Sequence, residues 1–200
     1  NIGSLVQNPF LRALDNAKKI YCCTDGFGQM ILCKGYQGEG HDDSHPDYGG
    51  HIGIRQGGIK DFNTLIEGGR EYNLKIGVHI NATEFHADAF EVNDAALVRP
   101  YKPEWNWLDQ AYLVDKYKDI ATGELYRRLD MLKADAPGLS WVYVDVYSGA
   151  GWEAYKLYHK LNKNGWLAGT EYSGPMEQGV AWVHWGTDPY YPAEGNTSRI

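Results

Sequence analysis

Cysteine is scarce in this chain, with three in 200 residues. Cys22, Cys23 and Cys33 have no metal-ligand spacing and leave one thiol over in any pairing, so a disulfide framework is not indicated. Cys22 and Cys33 lie in apolar, strand-like runs, where small buried thiols are common. Positive charge is also in deficit: 19 Lys and Arg against 26 Asp and Glu give a formal charge of −7. Nucleic acid and anionic membrane surfaces are recognised through basic patches, so neither is an expected partner. No apolar run approaches the ~20 residues of a membrane span. The opening NIGSLVQNPF has no basic segment leading into an apolar core, hence no visible signal peptide, and it lacks an initiator methionine. The chain is therefore expected to be a processed or excised piece. Repeats, low-complexity tracts and linkers are missing too, and the length suits one domain over residues 1–200.

Phenylalanine appears only five times, whereas there are seven Trp and fifteen Tyr. Those two rings combine an apolar face with a polar handle, which suits the C–H faces and hydroxyl rims of sugars as well as it suits a protein core. Strands are predicted at 18–23, 29–34, 75–81, 141–147, 166–171 and 180–185, with helices at 60–73, 123–135 and 152–163. The helices follow from apolar spacings of three and four, such as Leu125, Leu129 and Leu132, stopped by Pro137-Gly138. Strands alternating with helices of this length imply parallel βαβ units covered on both faces. Polar residues gather at the strand C-termini, as in a (β/α)8 TIM barrel, whose active site is built there. A full barrel takes ~250 residues. The expectation is therefore an incomplete (β/α)8 barrel of α/β class with about five to six β/α units.

Strand WVYVDVY carries one carboxylate, Asp145, near its C-terminal end, and WLAGTEY ends on a second, Glu171. A carboxylate in a buried strand is costly to desolvate and is seldom kept without a partner or a task. Neighbouring strands lie ~4.8 Å apart, so acids ending two of them can meet the ~5–5.5 Å separation of retaining glycosidases. On that geometry Asp145 is the nucleophile and Glu171 the general acid. Glu171 must then be protonated near neutrality, with Tyr172, Trp166 and the charge of Asp145 as candidate causes. No metal or cofactor is needed for this chemistry.

Further candidates surround that pair. The loop Gly40-His41-Asp42-Asp43-Ser44-His45 has two His four apart among carboxylates, which admits metal binding with Asp25 as third ligand, as in carbohydrate deacetylases. It equally admits a polar grip on sugar hydroxyls, with Asp42 as acceptor. His79 and Asn81 share one face of the strand KIGVHIN, on the way to Glu84, and offer pocket contacts. Trp105 and Trp107 in EWNW stand two apart and suggest a sugar-stacking lid. NAT at 81–83 and NTS at 196–198 match glycosylation sequons, a weak signal at this length. A sugar-binding module without turnover is the reading from a different class.

In order, QMILCKGYQGEGHDDSHPDYGG, KIGVHINATE, WNWLDQAYLVD, YVDVY and GTEY resemble the endo-α-N-acetylgalactosaminidases, glycoside hydrolase family 101. The resemblance spans nearly the whole chain. It implies a (β/α)8 catalytic barrel within a large, secreted or surface-attached bacterial protein. It further implies release, with retention, of galactosyl-β-1,3-N-acetylgalactosamine from Ser or Thr of mucin-type glycoproteins. By resemblance Asp145 is the nucleophile and Glu171 the acid/base. Trp105 and Trp107 form a lid, and Asp42 after His41 binds sugar. The family's accessory domains and last barrel strands are not in this sequence, and the 26 positions from Asp145 to Glu171 are fewer than its usual interval.

Overall fold

The computed structural model describes residues 8–38, 44–106, 109–147, 149, 151–172 and 174–184. His41, Asp42 and Trp107, named above as substrate-binding candidates, lie outside these residues, as does the second sequon. Five strands form one sheet in the order β1-β2-β6-β7-β8: Gln29–Cys33, Leu74–Asn81, Trp141–Asp145, Leu167–Thr170 and Trp182–Val183. Every neighbouring pair is parallel. Helices α2 (Gly58–Gly69), α4 (Glu124–Asp135) and α5 (Trp152–Lys163) follow β1, precede β6 and join β6 to β7. The parallel order rises directly from these crossovers, since each strand must return to the same end before the next begins.

The two faces of this sheet differ in chemistry. On one, Ile76, Val78 and Ile80 of β2, Val142 and Val144 of β6 and Ala168 of β7 pack under Phe62, Leu65 and Ile66 of α2, Leu125, Leu129 and Leu132 of α4 and Ala154, Leu157 and Leu161 of α5. That is the main apolar core. The register sets Gly77 beside Trp141, His79 beside Tyr143, Asn81 beside Asp145, Tyr143 beside Gly169 and Gly169 beside Trp182. The other face is therefore aromatic and polar, with the carboxylate and the amide at its C-terminal edge. Two glycines make room for it: a Cβ on Gly77 would stand 2.2 Å from the Trp141 ring, and one on Gly169 2.4 Å from Trp182.

A second, antiparallel sheet of order β3-β5-β4 (Glu84–His86, Gln110–Leu113, Pro103–Asn106) is inserted between β2 and α3 (Lys116–Ala121). Its strands of three and four residues, one opened by a proline, carry too little periodicity to be read from sequence. One expected strand is absent: residues 18–23 are the last turns of helix α1, Phe10–Cys23. Phe10, Leu14 and Ala17 supply its buried stripe, while Ile20 is 48% exposed. The apolar run at 20–23 is thus the outer side of a helix end rather than a core strand, and Cys22 is exposed rather than buried, as its neighbour Cys23 also is exposed. Cys33 is partly buried, and desolvation pushes its thiol up to about 12.

Candidate active site

Asp145 is the last residue of β6, 8% exposed, and Glu171 directly follows β7. Parallel pairing brings both to the same end of the sheet. The Glu171 N–H donates to the Val144 carbonyl at 3.2 Å, and the Val146 N–H donates to Glu171 Oε2 at 3.0 Å. The Glu171 carboxylate is thereby held against the residue that follows Asp145. Asp145 and Glu171 thus stand at the C-terminal ends of neighbouring strands.

His79 lies on β2, one strand from Asp145, with no exposed side-chain surface and Nε2 at 3.1 Å from Asp145 Oδ2. Its ring stacks on Tyr143, at 5.7 Å between centroids, and meets the tilted ring of His45 at 5.4 Å. His45 is itself buried, and its Nδ1 accepts from Gln37 Nε2 at 3.1 Å. A side chain sealed in this way faces the carboxylate rather than a ligand. His79 therefore touches Asp145 from behind rather than opening onto solvent. Asn81 is also buried, and its Oδ1 accepts the Thr83 and Glu84 N–H groups at 2.8 and 3.0 Å. This Asx-type turn ends β2 and engages the Oδ1 of the NAT sequon's asparagine.

Four contributors, Tyr143, Trp182, His184 and Val146, carried no signal readable from sequence. Tyr143 stacks on Trp182 at 5.3 Å and shares a 3.0 Å hydrogen bond with His184 Nδ1. Burial raises its phenol pKa, and the negative charges of Asp145 and Glu171 push the same way, so Tyr143 remains a protonated donor beside two carboxylates. Val146 adopts φ 44°, a left-handed conformation that branched side chains rarely take. Trp166, expected near Glu171, lies at the other end of β7, packed into the helix-side core. Tyr143 and Trp182 occupy the neighbourhood assigned to it.

Trp105 sits in β4 and is 57% exposed. Among the described residues, Asp25 and His45 of the deacetylase reading are not brought together. Asp25 is in the turn before β1 and His45 follows it at the opposite end of the sheet, separated by a five-residue strand of roughly 17 Å. Below the site, Arg128 of α4 is completely buried and pairs with Asp119 of α3, Nη2 to Oδ2, at 2.5 Å. Its guanidinium lies 4.9 Å from the Phe85 ring centroid and 5.5 Å from that of Tyr48. The Tyr48 hydroxyl donates to the Asn81 carbonyl at 2.6 Å, so this buried cation underpins the end of β2.

Comparison with known proteins agrees with this construction. An α-N-acetylgalactosaminidase of Bifidobacterium bifidum, NagBb, solved with GalNAc, superposes with a TM-score of 0.74 at 17% identity, over 90% of this chain and 32% of that one. An α-amylase from Lactobacillus plantarum gives 0.71 at 13% identity, over 98% and 54%. At such identities the likeness speaks for the fold, and the five-stranded parallel sheet with its helices is part of a (β/α)8 barrel. A Renibacterium salmoninarum protein carrying the provisional name endo-alpha-N-acetylgalactosaminidase is 41% identical over 197 residues, 98% of this chain and 13% of its own length. The chain thus spans about an eighth of that relative. The family described as endo-alpha-N-acetylgalactosaminidase matches residues 1–200. With both carboxylates, the strand ends that carry them and the whole length accounted for, the chain belongs to glycoside hydrolase family 101.

Proposed function

We propose that the protein is a retaining, endo-acting glycoside hydrolase that releases galactosyl-β-1,3-N-acetylgalactosamine from Ser or Thr of mucin-type O-glycoproteins. The observation that carries this reading is the meeting of Asp145 and Glu171 at adjacent strand ends, with the Val146 amide on the Glu171 carboxylate. Asp145 attacks the anomeric carbon as Glu171 gives its proton to the departing Ser or Thr oxygen. The glycosyl ester on Asp145 is then hydrolysed by a water that Glu171, now a carboxylate, deprotonates. Two inversions at one carbon give net retention.

His79 holds the Asp145 carboxylate in orientation from β2, on the side away from the sugar. Asn81 has spent its carbonyl oxygen on the turn, so any bond it makes to sugar comes from its Nδ2 donor. Trp105, with Trp107, His41 and Asp42, completes the sugar-contacting set inferred from the family resemblance. A mucin-type substrate lies outside cells, and we place the enzyme there or at a bacterial surface. The test is product analysis by NMR on a core-1 glycopeptide, recorded from the first turnovers. Disaccharide appearing first as the α-anomer supports the proposal. The β-anomer first, single sugars, or binding without release would each refute it.

A further inference from the structure

We infer that Tyr117 and Trp152 form an aromatic platform on the rim of the active site, on which the peptide part of the substrate packs through prolines near its glycosylated Ser or Thr. The inference rests on the proposed release of disaccharide from a glycopeptide and assigns the seat of the leaving peptide. Topology fixes both residues at the active-site end. Helix α5 joins β6 to β7 and runs back against them, so its first residue, Trp152, stands at the end where Asp145 and Glu171 emerge. Tyr117 is the second residue of α3, and the Val114 N–H shortly before it donates at 2.8 Å to the carbonyl of Thr83, just past the end of β2. The two rings meet with centroids 5.2 Å apart and planes tilted by 40°. Lys116, beside Tyr117, ties the pair to the site. Its ammonium lies 5.9 Å from the ring centroid of Tyr147, which follows Asp145 closely along the chain.

An outward helix surface is ordinarily charged or polar, yet Tyr117 is 60% and Trp152 44% exposed, and neither belongs to the main core. The charges beside them are already engaged. The carboxylates of Glu153, Glu104, Glu84 and Asp115 bear on Lys116, and the Lys156 ammonium lies 5.5 Å from the Trp152 ring centroid. Such a surface suits an uncharged, ring-bearing ligand better than an ionic one. The chemistry of the site delivers one there. Glu171 protonates the Ser or Thr oxygen, so the peptide departs over the ends of β6 and β7, which α5 covers from outside. One helix layer is roughly 8–10 Å and an extended chain advances ~3.3 Å per residue. Residues about two to four positions from the linkage therefore reach the rim. Mucin-like stalks are rich in Ser and Thr with Pro, and proline-rich segments dock on aromatic surfaces because their extended helix is already formed.

The test compares kcat/KM in the full chain on three substrates carrying the same disaccharide: a threonine glycopeptide with prolines about two to four residues from the sugar, its alanine counterpart, and an aryl glycoside without peptide. The parent should favour the proline peptide over the alanine one. Tyr117→Ala and Trp152→Ala should each lower the rate on the proline peptide by about 5–10-fold relative to the aryl glycoside, and should level the two peptides. Trp152→Tyr, which keeps a ring, should restore most of the preference. Independently of those variants, 5-fluorotryptophan at position 152 in an Asp145→Asn background should shift in 19F NMR on binding the proline glycopeptide but not the free disaccharide. Equal loss on all three substrates, a parent that does not distinguish the peptides, a silent fluorine signal, or a gain that requires a second disaccharide on the peptide would each overturn the inference and leave the proposed hydrolysis standing. If the aryl glycoside is cleaved and neither glycopeptide releases disaccharide, the functional proposal fails, and the inference with it.

Discussion

Replacing Arg128 by Met removes the cation beneath the active-site end of β2 while nearly preserving side-chain length. Arg128 has no exposed surface and Asp119 is 2% exposed, so the variant strands a carboxylate in a dry interior. Breaking a buried pair from one side costs about 3–5 kcal/mol. Loss of the contacts to the Phe85 and Tyr48 rings adds up to about 2 kcal/mol, offset in part by the packing of Met. In the parent, burial already raises the Asp119 pKa, with Arg128 the main opposing influence. Without Arg128 it rises further. A carboxyl whose folded-state pKa is raised favours folding while it is protonated and loses that contribution as pH climbs from the unfolded value of ~3.9 through the raised one. The deficit of Arg128→Met relative to parent should therefore be largest at pH 7 and shrink towards pH 4. Urea unfolding across that range measures it. Combining Arg128→Met with Asp119→Leu should recover most of the loss at pH 7, because no charge is then left unpaired. A deficit independent of pH, or a double variant no better than the single one, would show that charge burial is not the cause.

Three more perturbations probe the site and its frame. Glu171→Ala should slow a natural glycopeptide by ~10²–10⁴-fold but an activated aryl glycoside far less; equal loss on both in steady-state assays would remove the acid role. His79→Phe should lower kcat by roughly 10²-fold, as expected for one lost charge-assisted contact of ~2–3 kcal/mol, with KM nearly constant because the ring is sealed from solvent. A rise in KM of similar size would mean that His79 touches sugar directly. Gly169→Ala places a methyl 2.4 Å from the Trp182 ring and should destabilise by about 1–3 kcal/mol, with a changed near-UV tryptophan spectrum; an unaltered midpoint and spectrum would refute the close packing of β7 on β8.

The positions of most strands and of three of the four helices of twelve or more residues were readable along the chain, the longest, α1, being the one missed. Parallel strands covered by helices are short apolar runs, and the covering helices repeat their apolar residues at three and four. Residues 29–34, 75–81 and 123–135 illustrate this, each within a residue or two of the observed element. The same logic misjudged 18–23, because a run as short as Ile20 to Cys23 has no period of its own. Its state was settled by Phe10, Leu14 and Ala17 further back. The small antiparallel sheet, whose strands are defined by partners rather than by pattern, was not legible at all.

The site divides along the same line. Asp145 stood out because an acid in an apolar strand needs a reason, and Glu171 because it repeats that placement one unit later. These are properties of local sequence, as are the aromatic surplus and the acidic balance. What set His79 against Asp145, moved Trp166 away from Glu171, and turned the Val146 amide onto the second carboxylate was the register of parallel strands and the reversal at the end of β6. Those contacts join residues 25 to 66 positions apart. A side chain's composition and local period name what it can do, but its partner is chosen by the packing of strands that are distant in sequence, and that choice exists only in the folded chain.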